Sequence, residues 1–297
     1  MKQIQSCTAA NVSYWQRRGA RTDLTGHEVT LMAEHGRYVA YIHSQERKLL
    51  LSIVGDKRPR VLDVGCGAGR VALEIASRCS ELIGIDIAES LLDRARSAAL
   101  KAGLSNVSFQ RRALDTSFDL GDFDLVIVSG VLNCLDDGDA ESVLGFCADS
   151  LAVGGKLYIR NNCAVRQRIE RPGDDQEPPF IHRTAQEYLS IVRGIPALGL
   201  HREGYLFPPI CIPNILYYHA IPKFLRNREP TQSVLDAWFR LEDLTASARL
   251  RWLGRAYGVV LHAIRKPTFF HVIEANRLAS AAPEEPDVRY VVPSLEF

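Results

Sequence analysis

Two carboxylates and a run of glycines carry the chemistry of this sequence. Asp63 falls inside the apolar run Val61-Leu62-Asp63-Val64; Gly65, Gly67 and Gly69 follow at alternating positions; Asp86 ends a second apolar run, Leu82-Ile83-Gly84-Ile85. Glycine has no Cβ, so a turn built this way lets backbone N–H groups approach a ligand closely. An acid at the tip of a second strand can accept both hydroxyls of a ribose. An acid just ahead of the glycines has no task in holding a pyrophosphate and suits a ligand with a cationic group. A dinucleotide fingerprint wants G-x-G-x-x-G, but Arg70 stands at the third-glycine position and Gly69 comes one residue early.

The elements that must position these residues follow from the hydrophobic pattern. Val71, Ala72, Ile75 and Ala76 recur at helical spacing, so the glycines join a strand to a helix. Residues 60–160 alternate short apolar runs with amphipathic stretches, the pattern of an open, mostly parallel α/β sheet with helices on both faces. Leu92, Ala95 and Ala99 mark one buried helix face that Gly103 ends; Val107-Ser108-Phe109 begins a third strand, and Val126-Ile127-Val128 is a fourth. Ligands in such sheets lie outside the carboxyl ends of the strands, near the switch in strand order. Gly65, Asp86, Ala113, Ser129, Gly130, Asn133 and Arg160-Asn161-Asn162 are therefore the expected lining.

With four motifs in order, the sequence resembles the class I S-adenosylmethionine-dependent methyltransferases. The resemblance rests on 61–70 as the nucleotide-binding loop and Gly84-Ile85-Asp86 as the ribose-binding acid. It continues through Phe123-Asp124-Leu125-Val126-Ile127 as the fourth strand and Leu151 to Ile159 as the entry to the fifth. It implies S-adenosylmethionine as cofactor and a Rossmann-like, seven-stranded, mostly parallel sheet, with an N-terminal helical cover and an inserted helical cap before the last strand. It also implies that Asp86 holds the ribose, that the loop with Asp63, Gly65, Cys66, Gly67 and Gly69 runs beside the methionine moiety, and that Ala113 and Leu114 lie beside adenine, with Ile87, Ser129 and Gly130 completing the contacts. Arg112 departs from the pattern, since many members carry an acid there. Relatives commonly cover the cofactor with an N-terminal helix, which makes Tyr14 and Arg18 candidates for cofactor contact or a lid; Tyr14 and Trp15 stapling that helix to the sheet is the alternative.

The remaining segments divide as 1–56, an N-terminal cover; 57–267, the main domain with a cap at about 208–257; and 268–297, an appendage open to a hairpin or a homodimer contact. Val39, Ile42, Glu46, Leu49, Leu50 and Ile53 fall near a 3.6 period, an amphipathic helix packed on the core. The polar, proline-bearing stretch 171–179 is a candidate lid, and His182 follows it directly. Thr184 and Glu187 make a capping box for the next helix, and Leu200 to Phe207 a later strand. Gly258 to Pro267 reads as the final core strand. Tyr217, Tyr218, Trp238 and Phe239 of the cap either line an acceptor pocket or form that subdomain's own core.

The chain has 297 residues, 46% hydrophobic and 24% charged, with a formal net charge of +1 and no long basic block, which disfavours a nucleic-acid partner. The seven cysteines are scattered without a C-x-x-C pair, and no apolar run is long enough to span a membrane. The expectation is a soluble cytoplasmic enzyme with no metal site. Methyl transfer from a sulfonium requires alignment of an acceptor, with base help set by its acidity. His182, His219 and Tyr14 are the candidates for base or orienting group, and Asn133 either orients an acceptor or caps the helix near Asp136. The expected reaction is transfer to an O or N atom of a small-molecule acceptor such as a sugar, natural product or lipid-like compound. Alternatives are a methyltransferase for protein N-terminal amines, a non-catalytic cofactor-binding regulator, and an NAD-binding oxidoreductase.

Overall fold

The computed structural model describes residues 2–24, 36–112, 121–164, 167–173, 178–205, 234, 268–279 and 287–288. In chain order the elements are α1 (Lys2–Gly19), α2 (Gly36–Val54), β1 (Arg60–Val64), α3 (Arg70–Ile75), β2 (Glu81–Asp86), α4 (Glu89–Lys101), β3 (Val107–Arg111), β4 (Phe123–Ser129) and α5 (Asp137–Asp149). They continue as β5 (Leu151–Ala164), β6 (Ile169–Arg171), β7 (Phe180–His182), α6 (Ala185–Arg193), β8 (Leu198–Tyr205), β9 (Thr268–Arg277) and β10 (Asp287–Val288).

Seven strands in the order β8-β9-β5-β4-β1-β2-β3 form the sheet, and the two-residue β10 adds to its β8 edge. β1 to β5 pair in parallel, whereas β9 runs antiparallel to both β5 and β8. The order reverses between β1 and β4, which opens the crevice at their carboxyl ends where ligands bind in such sheets. One face of the sheet packs against α2, α3 and α4 through Leu49, Leu50, Ile75, Leu92 and Phe109; the other packs through Leu62, Val126, Leu144, Tyr188 and Ile273 under α5 and α6.

The helix ends follow local chemistry. Asp136 accepts a hydrogen bond from the Asp139 N–H and caps α5. Thr184 and Glu187 form the expected capping box of α6, and Gly103 takes positive φ beyond α4.

Two expectations change. Thr268–Arg277 belongs to the sheet, not to an appendage: β9 fills the slot between β5 and β8, with Ile273 and Ala275 fully buried. The strand expected over 258–267 lies outside the described residues, as does the cap at about 208–257, with His219, apart from Val234. Asn161 and Asn162 lie within β5, which runs on to Ala164.

Candidate functional site

The glycine loop is held between the tips of β1 and β2. Gly65 and Cys66 both donate their N–H to the Ile85 carbonyl, at 2.8 and 3.0 Å. Asp86 receives the Gly67 N–H on Oδ2 and the Ala88 N–H on Oδ1, each at 2.9 Å. One carboxylate thus fixes both loops, and its remaining lone pairs stay available. Gly65, Gly67 and Gly69 all take positive φ, where side chains are strained. A Cβ on Gly65 would stand 2.3 Å from Val131 Cγ2. A Cβ on Gly69 would stand 3.0 Å from the Ala95 Cβ of α4 and 3.1 Å from the Phe109 ring of β3, so this glycine lets the loop pack closely on both.

Asp63 is buried behind this loop, and its Oδ2 has no hydrogen-bond partner. Burial pushes its carboxyl up to about 7; Arg70 opposes this, while Glu46 and Asp86 add to it. Burial also raises the Asp86 carboxyl, against the N–H groups of Ala88 and Gly67.

α1 lies across the crevice. Asn11 Nδ2 donates to the Cys134 carbonyl beyond β4 at 2.7 Å. At the other end, Arg94 of α4 holds the Gly19 carbonyl at 2.6 Å, the Leu24 carbonyl at 2.8 Å and the Arg21 carbonyl. Nine residues of helix, about 12 Å, match the roughly 10 Å between β4 and β2 and carry α1 over the end of β1. Tyr14 and Arg18 fall within this span, with Arg18 Nη1 donating to Tyr14 Oη at 3.3 Å.

Residues 61–155 match a family model described as a methyltransferase domain. The chain is 31% identical to a Coxiella burnetii ubiquinone biosynthesis O-methyltransferase over 192 residues, 64% of this chain and 67% of that protein. It is 27% identical to phosphoethanolamine N-methyltransferase 1 of Arabidopsis thaliana, over 59% of this chain and 36% of that one. The chain belongs to the class I S-adenosylmethionine-dependent methyltransferase family. A Leishmania major S-adenosylmethionine-dependent methyltransferase shares its fold, with a TM-score of 0.54 at 17% identity over 67% of this chain and 76% of that one. The chain spans between 26% and 41% of the length of three of the curated relatives that it matches, the Arabidopsis thaliana protein among them.

Around this crevice, the sequence-predicted residues divide clearly. Asp63, Gly65, Gly67, Gly69 and Asp86 converge on the crevice, and Ile87 follows Asp86 with its carbonyl accepting from Arg111 Nε at 3.3 Å. Cys66 offers only its backbone: the thiol is buried in the core beside Gly84, and burial raises its pKa well above the usual thiol range. Ser129 turns its hydroxyl away to donate to Glu46 Oε1 at 2.5 Å, while the Gly130 N–H donates to the Arg160 carbonyl at 2.7 Å. Ala113, Leu114 and His219 lie outside the described residues.

Asn133 does not cap α5, a place that Asp136 takes, and its amide is bonded within the protein. Its Oδ1 accepts the Asn162 N–H at 3.0 Å, and the two N–H bonds of its Nδ2 are shared among the Asn162 carbonyl at 2.8 Å, Tyr188 Oη at 2.9 Å and the Ile181 carbonyl at 3.2 Å. It continues the β5 ladder where β4 stops, as a strand residue would. His182 ends β7, 9% exposed, with Nδ1 unpartnered. Burial, helped by Arg171, lowers its pKa to about 4, so the imidazole is neutral at neutral pH.

Sequence reasoning missed the pairings that brace the crevice. Glu46 of α2 is fully buried and pairs with Arg70 at 2.7 Å and Arg160 at 3.2 Å. Burial alone would raise its carboxyl; Arg160, Arg70 and the Ser129 hydroxyl outweigh this and hold it well below the carboxylate range. Arg183, also fully buried, donates to the Leu132 and Leu135 carbonyls at 2.7 and 2.8 Å and pairs with Asp137 at 2.6 Å, fixing β7 to the turn after β4. A glutamate inside the apolar stripe of α2 was the available signal for the first of these clusters. Nothing local marked the second.

Proposed function

We propose that the protein transfers a methyl group from S-adenosylmethionine to an O or N atom of a small-molecule acceptor. The observation carrying this reading is Asp86, a carboxylate at the tip of β2 locked to the glycine loop through the Gly67 N–H with lone pairs to spare. The residues suit the cofactor: Asp86 would take the ribose hydroxyls, Gly65 and Gly67 keep side chains out of the loop, and the unpartnered Oδ2 of Asp63 is a buried acceptor for a cationic group. Tyr14 and Arg18 on α1 would cover the methionine end.

When bound, the cofactor supplies a methyl group already activated on a sulfonium. The protein's part is then alignment and exclusion of water, and alignment can contribute on the order of 7–11 kcal/mol. Neutral His182, held beside the carboxyl ends of β4 and β5, is the group able to accept the acceptor's proton. The O-methyltransferase and N-methyltransferase names of the relatives support a small-molecule acceptor.

Calorimetric titration with S-adenosylmethionine, S-adenosylhomocysteine and NAD tests the reading. Both sulfur compounds bind and NAD does not. Asp86→Ala weakens their binding about 100-fold, two charge-assisted hydrogen bonds being lost. Mass spectrometry of acceptors for a gain of one methyl separates catalysis from binding alone. Binding of NAD without response to the sulfur compounds, or an Asp86→Ala protein that is folded and binds normally, overturns the reading.

A further inference from the structure

The last carbonyls of a helix find no partner within it, and at the end of α1 a single side chain gathers the carbonyls of the closing turn. Arg94 of α4 donates its Nε to the Gly19 carbonyl at 2.6 Å and its Nη1 to the Leu24 carbonyl at 2.8 Å, while Nη2 reaches the Arg21 carbonyl. A cation in this place also suits the negative end of the α1 dipole. Beside it, Ser90 Oγ donates to the Gln16 carbonyl at 2.7 Å. Gly19 presses on the same turn of α4 so closely that a Cβ there would stand 2.3 Å from Ser90 Oγ and 2.9 Å from the Leu91 nitrogen.

An apolar contact completes this seat: Leu24, Ala88 and Leu91 form a small buried cluster against which Trp15 packs. Trp15 and Gly19, four residues apart, share one stripe of α1, and that stripe rests on α4. Tyr14 and Arg18 stand one residue earlier at each turn, so the seat of Trp15 and Gly19 sets the direction in which Tyr14 and Arg18 face. The seat also adjoins the ribose end of the crevice, because Ala88 is the residue whose N–H binds Asp86 Oδ1.

We infer that Arg94 is a positioning residue for the cofactor: by clamping the C-terminal end of α1 to α4 it keeps Tyr14 and Arg18 over the methionine end of the crevice. The inference rests on the methyl-transfer reading and adds to it a residue that acts without touching the cofactor. The three bonds of Arg94 run to α1 and to the turn that follows it, so its action passes through α1. A cover helps only in the molecules in which it is down, and apparent affinity scales with that fraction. The planar fork of an arginine can serve three carbonyls that diverge, which the compact ammonium of a lysine serves less well.

The test compares two ligands on the full chain by calorimetric titration: S-adenosylhomocysteine, which extends under α1, and adenosine, which lacks the methionine part. Arg94→Met weakens S-adenosylhomocysteine at least about tenfold and leaves adenosine unchanged, and Arg94→Lys recovers part of the loss. Limited trypsin digestion of the ligand-free protein, read by mass spectrometry, follows α1 itself. Cleavage after Arg17, Arg18 and Arg21 quickens at least about tenfold in Arg94→Met, since cleavage tracks the population of the opened segment. Unchanged S-adenosylhomocysteine affinity, equal losses for the two ligands, or unchanged cleavage in a folded Arg94→Met overturns the inference while leaving methyl transfer standing. Failure of the wild type to bind S-adenosylhomocysteine instead sinks the methyl-transfer reading. If Arg94→Met does not fold, Gly19→Ala, which pushes α1 off the same seat from the other side, is judged by the same readings.

Discussion

Replacing Asp63 by asparagine isolates an acid that the fold keeps protonated into the neutral range. In the unfolded chain this carboxyl ionises near 3.8, whereas burial holds it up to about 7 in the folded protein. Between those values the folded state binds more protons, so its stability falls as pH rises, by about 1.4 kcal/mol per pH unit. From pH 5 to pH 7 the loss is about 2 kcal/mol, the slope easing as pH reaches the folded value. His182 works in the opposite sense: its folded value is lowered, so its contribution is lost as pH falls below the unfolded value of 6.5. Wild type and Asp63→Asn share that term, and it cancels in their difference. Glu46, held below its ordinary 4.5, stays ionised throughout the window. Urea unfolding of the cofactor-free proteins at pH 5, 6 and 7 reads the effect. The variant gains about 2 kcal/mol relative to wild type across this range. Parallel pH profiles would refute both the buried protonated acid and the idea that Asp63 awaits a cationic partner. If the idea holds, cofactor binding between pH 6 and pH 7 releases a fraction of a proton from wild type and none from the variant.

Glu46→Gln leaves the Arg70 and Arg160 cations buried without their counter-charge and destabilises the fold by about 3–5 kcal/mol, measured by the same urea titration. An unchanged midpoint would mean that the cluster is solvated in solution. Gly65→Ala forces an L side chain to φ 67 and toward Val131, and cofactor affinity drops at least about tenfold; Val131→Ala in the same chain restores part of the loss by removing the clash but not the strain. Full recovery in the double variant would show that space alone set the requirement.

The sequence by itself determined the half of the protein where function and local pattern coincide. Gly65, Gly67 and Gly69 read as a ligand loop because only glycine combines positive φ with an open approach, and Asp86 read as a strand-tip acid because the apolar run before it ends there. The α6 capping box was legible for the same reason, since its partners are three residues apart. Contacts distant along the chain were decided only by the tertiary structure. Asn133 looks identical in sequence whether it faces a substrate or completes the ladder of a strand 29 residues away. Glu46 meets Arg160 only after the sheet has brought α2 over β5. β9 was read as a tail because an antiparallel strand inserted from the far end of the chain takes its partners, β5 and β8, from sequence already past. Whether such a segment is buried is set by the slot that those strands leave open.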